Sequence, residues 1–217
     1  MARPKRADMN DVNRRRELIS AAAKLFKEQG FHATTTRDIA KAANMQSGSP
    51  FYHFANKQEL LFAGVETSLL DCLAALEAVD PHGQSALDYF RALTRLHLER
   101  LLDDSSGVVP MVVDEWKHLD GGQRAQVIAI RDRFEELWHG AFTRIQEAGV
   151  TPDATPLAVT FFLSAMQGVV NWYRPEGRFS VDQIADQLVA FATCTSAHSD
   201  PKTGPSSARR KARNLVH

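Results

Sequence analysis

Only 2 of the 217 residues are cysteine, and they stand far apart, at Cys72 and Cys194. There is no CxxC pair and no His/Cys grouping at metal-ligand spacing, and the 8 histidines are scattered. This argues against a zinc scaffold and a disulfide framework alike, and no metal site is expected. Two lone thiols in helix-like apolar surroundings fit a reducing compartment. Long apolar runs are also missing, so no segment is expected to span a membrane. The start, "MARPKRADMNDVNRRR", is basic but has no apolar stretch behind it, unlike a secretory signal. There is no glycine-rich phosphate loop, and no Ser/His/Asp, Cys/His or paired-carboxylate set stands out. An enzyme is therefore not expected, nor is a cofactor.

Net charge is absent as well, since 26 Lys+Arg balance 26 Asp+Glu. The balance hides an uneven distribution. Residues 1–60 carry 11 basic against 6 acidic side chains, residues 61–199 carry 10 against 19, and residues 200–217 carry 5 against 1. An acidic body between basic ends points to an anionic partner at one or both ends, the alternative being a solvated basic tail.

What the sequence has in quantity is helical periodicity. Residues 1–12 lack spaced apolar positions and read as a flexible basic arm. From residue 13, Leu18, Ala22, Leu25 and Phe26 share one helix face, and Gly30 supplies a stop. Thr35 followed by Asp38 resembles a capping box, with Ile39, Ala40 and Ala43 inward, and Asn44 suits a left-handed helix end. Asn56 with Glu59 opens a longer helix through Leu73. "DPHG" at 80–83 breaks it, and Ser85 opens a helix to about residue 102. A short helix is expected at 111–118, then a long one to about residue 148. The stretch 157–172 is apolar nearly all round, and the helix at 181–196 has two apolar seams. The tail 198–217, rich in Ser, Pro and basic residues, reads as disordered. No strand pattern occurs, so the fold class is all-α.

Residues 47–61, "SGSPFYHFANKQELL", pose the local puzzle. A proline inside a helix costs about 3 kcal/mol, but the first turn has no intrahelical bonds for it to remove. Pro50 is thus compatible with a short helix over 47–54 that starts at Gln46 or Ser47. Three short N-terminal helices with a tight turn before the third make a helix-turn-helix arrangement. Ser47, Gly48 and Ser49 are small enough to let a groove or a phosphate approach. Tyr52 and His53 are amphipathic reach residues, and Lys57 can neutralise a phosphate. The competing reading makes Phe51, Tyr52 and Phe54 core, which is accepted for Phe54.

Residues 13–65 resemble the DNA-binding domain of the TetR family of bacterial regulators. The resemblance is carried by "AAKLFKEQGFHATTTRDIAKAANM" and by Gly48, His53, Phe54, Lys57, Leu60 and Leu61 in the following stretch. It implies a three-helix DNA-binding domain at 13–58 and a six-helix effector-binding and dimerisation domain at 59–197. The resemblance also implies that Thr35, Thr36 and Arg37 meet the DNA backbone, with Gln46, Ser47, Gly48, Ser49, Phe51, Tyr52, His53 and Lys57 completing the contact surface. Phe51 replaces a family tyrosine, and Asn44, Gln46 and Pro50 also depart from the pattern. The implied partners are a palindromic double-stranded DNA operator, a small effector, and a second copy through the last two long helices. The expected setting is the bacterial cytoplasm and nucleoid.

The body offers Trp116, Phe134, Trp138, Phe142, Phe161, Phe162 and Trp172 as pocket walls, with Arg131 or Arg174 for an anionic head group. Packing is the competing use of each aromatic. "NWYRPEGRFS", "DEWKHL" and "RDRFEELW" resemble a subgroup whose members often sense acyl-CoA thioesters. The expected function is a ligand-released repressor, the rival being a helical small-molecule binder or enzyme with a vestigial DNA-binding head.

Overall fold

The computed structural model describes residues 6–45, 53–103, 115–151 and 153–193, with residues 6–10 described by their backbone alone. Among these, seven α-helices occur and no strand. They are α1 (Arg6–Gln29), α2 (Thr36–Ala42), α3 (Lys57–Glu77), α4 (Ala86–Leu102), α5 (Gly121–Glu147), α6 (Pro156–Gly168) and α7 (Val181–Thr193). Of the short helix expected at 111–118, residues 111–114 lie outside the described residues, and the rest is a 3₁₀ turn, Trp116–His118. A second 3₁₀ turn, Val169–Asn171, continues α6, so the expected single helix over 157–172 changes pitch near its end.

Local chemistry explains most of the boundaries. Asn56, Ser85, Asp120 and Thr155 each accept a hydrogen bond from the backbone N–H three residues on, satisfying a donor that the helix leaves unpaired. Gly30 at φ 82° ends α1. Asn44, at φ 54°, is the one non-glycine residue with positive φ among the described residues. Its N–H donates to Lys41 O at 3.1 Å, and Met45 N–H donates to Ala40 O at 2.8 Å. This paired closure satisfies two end carbonyls of α2.

The N-terminal boundary also departs from expectation. Helix α1 begins at Arg6, so residues 6–12 are helical and not an unstructured arm. Once a packed helix exists, adding polar turns to its end fixes one residue per bond gained, without a new nucleus. The final 198–217 lie outside the described residues.

Two cores organise the chain. The first joins Leu18, Ala22 and Phe26 of α1, Ile39 of α2, Leu60, Leu61 and Val65 of α3, and also Leu119 and Val127 near the start of α5. The second is built on Phe90, Leu93, Trp138, Phe142, Phe162, Met166, Ile184 and Val189. Leu69 packs against both. Helix α3 is therefore shared, and α5 reaches into the head as well as the body.

Candidate DNA-reading head and effector cavity

In the head, Thr35 caps α2. Its hydroxyl oxygen accepts from Asp38 N–H at 3.2 Å, and the Asp38 carboxylate accepts from Thr35 N–H at 3.0 Å and from its hydroxyl at 2.6 Å. Hydrogen bonds from the Thr35 hydroxyl and then its backbone hold the Asp38 carboxyl below its ordinary pKa. The cap fixes the direction of α2's first turn, where Thr35 and Arg37 are exposed and Thr36 is half-buried. Gln46, Ser47, Gly48, Ser49, Phe51 and Tyr52, the expected reading segment, lie outside the described residues, as does Pro50.

Two further residues of that expected surface face inward. Lys57 donates to three carbonyls that end or follow α1: Phe31 O at 2.7 Å, His32 O at 3.1 Å and Thr34 O at 2.9 Å. Its ammonium also lies 4.6 Å from the Phe31 ring centroid. An ammonium has three donors, and all three are used. Lys57 thus clamps the α1–α2 loop to the start of α3, in place of the free phosphate contact expected from sequence. The His53 side chain is only 9% exposed, and its Nδ1 is 3.4 Å from Asp11 Oδ1 on α1. Residue type and the family pattern made both look outward, but neither could show the α1–α2 loop closing on Lys57 or α1 lying against His53.

The head meets the body through a small joint. Gln58 donates to His118 O. The His118 ring stacks on Phe31 at 5.2 Å and meets His32 edge-on at 4.6 Å. Immediately beside it lies a cavity of about 170 Å³. Its wall includes Leu69 of α3, His97 and Leu101 of α4, Trp116 of the 3₁₀ turn, Val127, Arg131 and Phe134 of α5, and Leu163 and Met166 of α6. Trp116 and Val127 belong to the head core, Phe134 and Met166 to the body core. The Arg131 guanidinium lies 5.2 Å over the Trp116 ring, and Arg131 itself is exposed.

Three of the nine expected effector residues, Trp116, Arg131 and Phe134, thus come together. Trp138, Phe142 and Phe162 pack with Phe90 in an aromatic cluster, with centroids 5.0–5.7 Å apart, and none of the three lines this cavity. Trp172 is 52% exposed, away from the cavity. Arg174 is exposed and donates to the adjacent Tyr173 O at 2.7 Å. Sequence reasoning missed His97 and the small polar residues Thr160, Ser164 and Gln167 on α6. The only available signal for the last three was their 4- and 3-residue spacing on an otherwise apolar helix.

A second groove lies between α6 and α7, lined by Phe142, Leu157, Phe161, Phe162, Leu188 and Phe191. Leu157, Phe161 and Phe191 are 60%, 65% and 66% exposed. No group of three or more His, Cys, Asp or Glu able to hold a metal occurs among the described residues. Nor is any described helix long and apolar enough to cross a membrane.

A capped helix pair ahead of a helical bundle, with a cavity touching both cores, defines a transcription regulator with a DNA-binding head and a ligand-binding body. Residues 18–63 match the sequence profile of bacterial regulatory proteins of the tetR family, and residues 83–194 match a tetracyclin repressor-like C-terminal domain. The chain belongs to the TetR family of transcriptional regulators. It is 34% identical over 185 residues to the HTH-type transcriptional repressor KstR2 of Rhodococcus jostii, covering 82% of this chain and 88% of that one. The fold resembles that of the ketosteroid transcriptional regulator KstR2 of Mycobacterium tuberculosis, with a TM-score of 0.71 and 27% identity over 83% of this chain and 93% of that one. It also resembles AibR, solved in complex with isovaleryl coenzyme A and operator DNA, with a TM-score of 0.73 and 24% identity over 83% and 98%. That last likeness concerns the fold.

Proposed function

We propose that this regulator represses transcription as a dimer on a palindromic operator and leaves DNA when an apolar anionic effector, such as an acyl-CoA thioester, enters the cavity beside Trp116. The carrying observation is that one cavity wall is built from both cores: Trp116 and Val127 from the head, Phe134 and Met166 from the body. A ligand that fits only when these walls separate shifts the population toward a second arrangement of α3 and α5. The exposed Arg131 at the rim suits a phosphate or carboxylate, while Leu101, Leu163 and Phe134 suit an acyl chain. The names of the KstR2 relatives, a transcriptional repressor and a ketosteroid transcriptional regulator, support the repressor sense.

On the DNA side, Thr35, Thr36 and Arg37 meet the sugar-phosphate backbone, and the 46–52 segment reads base edges. The apolar residues Leu157, Phe161 and Phe191 on α6 and α7 form the dimer face. Exposed apolar side chains in one contiguous patch favour burial by a partner. Two heads related by a two-fold axis then match two half-sites. A gel-shift titration of operator-bound protein with acyl-CoA thioesters of graded chain length tests the effector class. Release by at least one of them is expected, and no release by any would refute it.

A further inference from the structure

We propose that His97 is the recognition residue of the cavity, presenting its imidazole Nε2–H to a neutral carbonyl, of a ketone or thioester, on the bound ligand. The inference rests on the reading of this cavity as the effector site and names the chemistry at its inner wall.

An indole nitrogen donates and never accepts. Trp138 Nε1–H lies 3.2 Å from His97 Nδ1, so Nδ1 must be the acceptor and carry no proton. A neutral imidazole has one protonated nitrogen, which leaves the proton on Nε2. The ring is held between two others, with centroids 5.5 Å from Phe134 and 5.8 Å from Trp138. Turning it over would replace Nδ1 by carbon and leave the indole N–H of Trp138, a residue with 0% exposure, without its acceptor. Tautomer and orientation are therefore fixed before any ligand arrives. Burial also keeps the imidazole neutral, with its pKa pushed down to about 4.

His97 lines the cavity and is only partly accessible, whereas Arg131, Glu135, Ser164 and Gln167 are exposed and stand at the rim. The cavity thus has charged and amide groups at its mouth and one oriented neutral donor in its wall. That arrangement suits a ligand whose anionic end stays near solvent and whose carbonyl lies within. A carboxylate at the inner position would bring a bare charge into apolar surroundings without a cation to meet it.

The test uses the full chain labelled with ¹⁵N-histidine. Long-range ¹H–¹⁵N spectra at neutral pH should show His97 as the Nε2–H tautomer. The probes are cyclohexanone and cyclohexane, matched in shape and differing in the acceptor. Cyclohexanone should move the His97 Nε2 resonance and cyclohexane should not, and His97→Phe should weaken cyclohexanone binding by about fivefold relative to cyclohexane. An Nδ1–H tautomer, a resonance unmoved by saturating cyclohexanone, or a ketone preference that survives His97→Phe overturns the proposal. If His97→Phe does not fold, the tautomer and the resonance shift of the unmodified protein decide the matter. Failure of every acyl-CoA to release operator while cyclohexanone engages His97 would discard the thioester reading alone. Operator release with a silent His97 would discard this proposal alone.

Discussion

Lys57 Nζ sits 2.7 Å from the carbonyl oxygen of Phe31 and 4.6 Å from the centroid of the same residue's ring. One side chain thus holds the loop after α1 through its backbone and its aromatic face, and Phe31 in turn stacks on His118 at the joint with the body. The lysine that a sequence pattern assigns to phosphate contact is occupied in maintaining the head's shape.

Replacing it with an apolar residue of similar length should therefore act on stability. Lys57→Met leaves three carbonyls without their charged donor and is expected to destabilise the chain by about 2 kcal/mol, read as a lowered urea midpoint. Operator affinity should fall while the slope of log K against log salt stays unchanged. A lost phosphate contact would instead reduce that slope by about one unit.

Thr35→Ala removes the cap of α2 and should cost about 1 kcal/mol of stability. Two of the three hydrogen bonds of this cap use the ionised Asp38 carboxylate, whose folded-state pKa is held down by Thr35. A depressed carboxylate pKa stabilises the fold above the ordinary carboxylate range, and the benefit is lost as pH falls through the folded value. The penalty of Thr35→Ala should accordingly be present at neutral pH and shrink in acid, as urea unfolding at a series of pH values would record.

His97 gives a second pH signature. Its imidazole is held near 4, below the ordinary value of 6.5, because burial disfavours the charged form. As pH falls from about 6.5 toward 4, the unfolded chain takes up this proton and the folded chain does not, so stability declines across that window. In His97→Phe the part of the decline due to this group should vanish, flattening the stability curve between pH 6.5 and 4. An unaltered curve would mean that His97 titrates normally in the folded protein.

Phe161→Glu and Phe191→Glu each place a carboxylate in the exposed apolar face of α6 and α7. Each should weaken self-association by about 2 kcal/mol or more, roughly thirtyfold, giving monomers in sedimentation at concentrations where the unaltered chain is dimeric. Operator affinity should fall with it, because a two-fold site needs both heads.

Legibility in the sequence followed the range of the forces involved. Caps at Thr35, Asn56 and Ser85 act over three residues, and sequence spacing reveals them directly. Asn44 at positive φ was readable for the same reason. The cavity was not. Trp138, Phe142 and Phe162 have the residue types of pocket walls, yet they close on Phe90 as packing, a distinction that depends on how three helices approach one another. His97 carried no signal in an amphipathic helix until Trp138, 41 residues away, was seen to donate to it. The reach of α1 back to Arg6 was hidden because polar helix turns carry no apolar period.

Walls shared by both cores should couple the cavity to the operator. Linkage makes this measurable from both sides: an effector that weakens operator binding must itself be bound more weakly, by the same factor, when operator is present. Fluorescence anisotropy of labelled operator with and without a saturating acyl-CoA, paired with calorimetric titration of that acyl-CoA into free and operator-bound protein, measures the two factors. Equal factors between about 5 and 150 are predicted. An acyl-CoA that binds free and operator-bound protein with the same affinity, leaving the operator affinity unchanged, would contradict it.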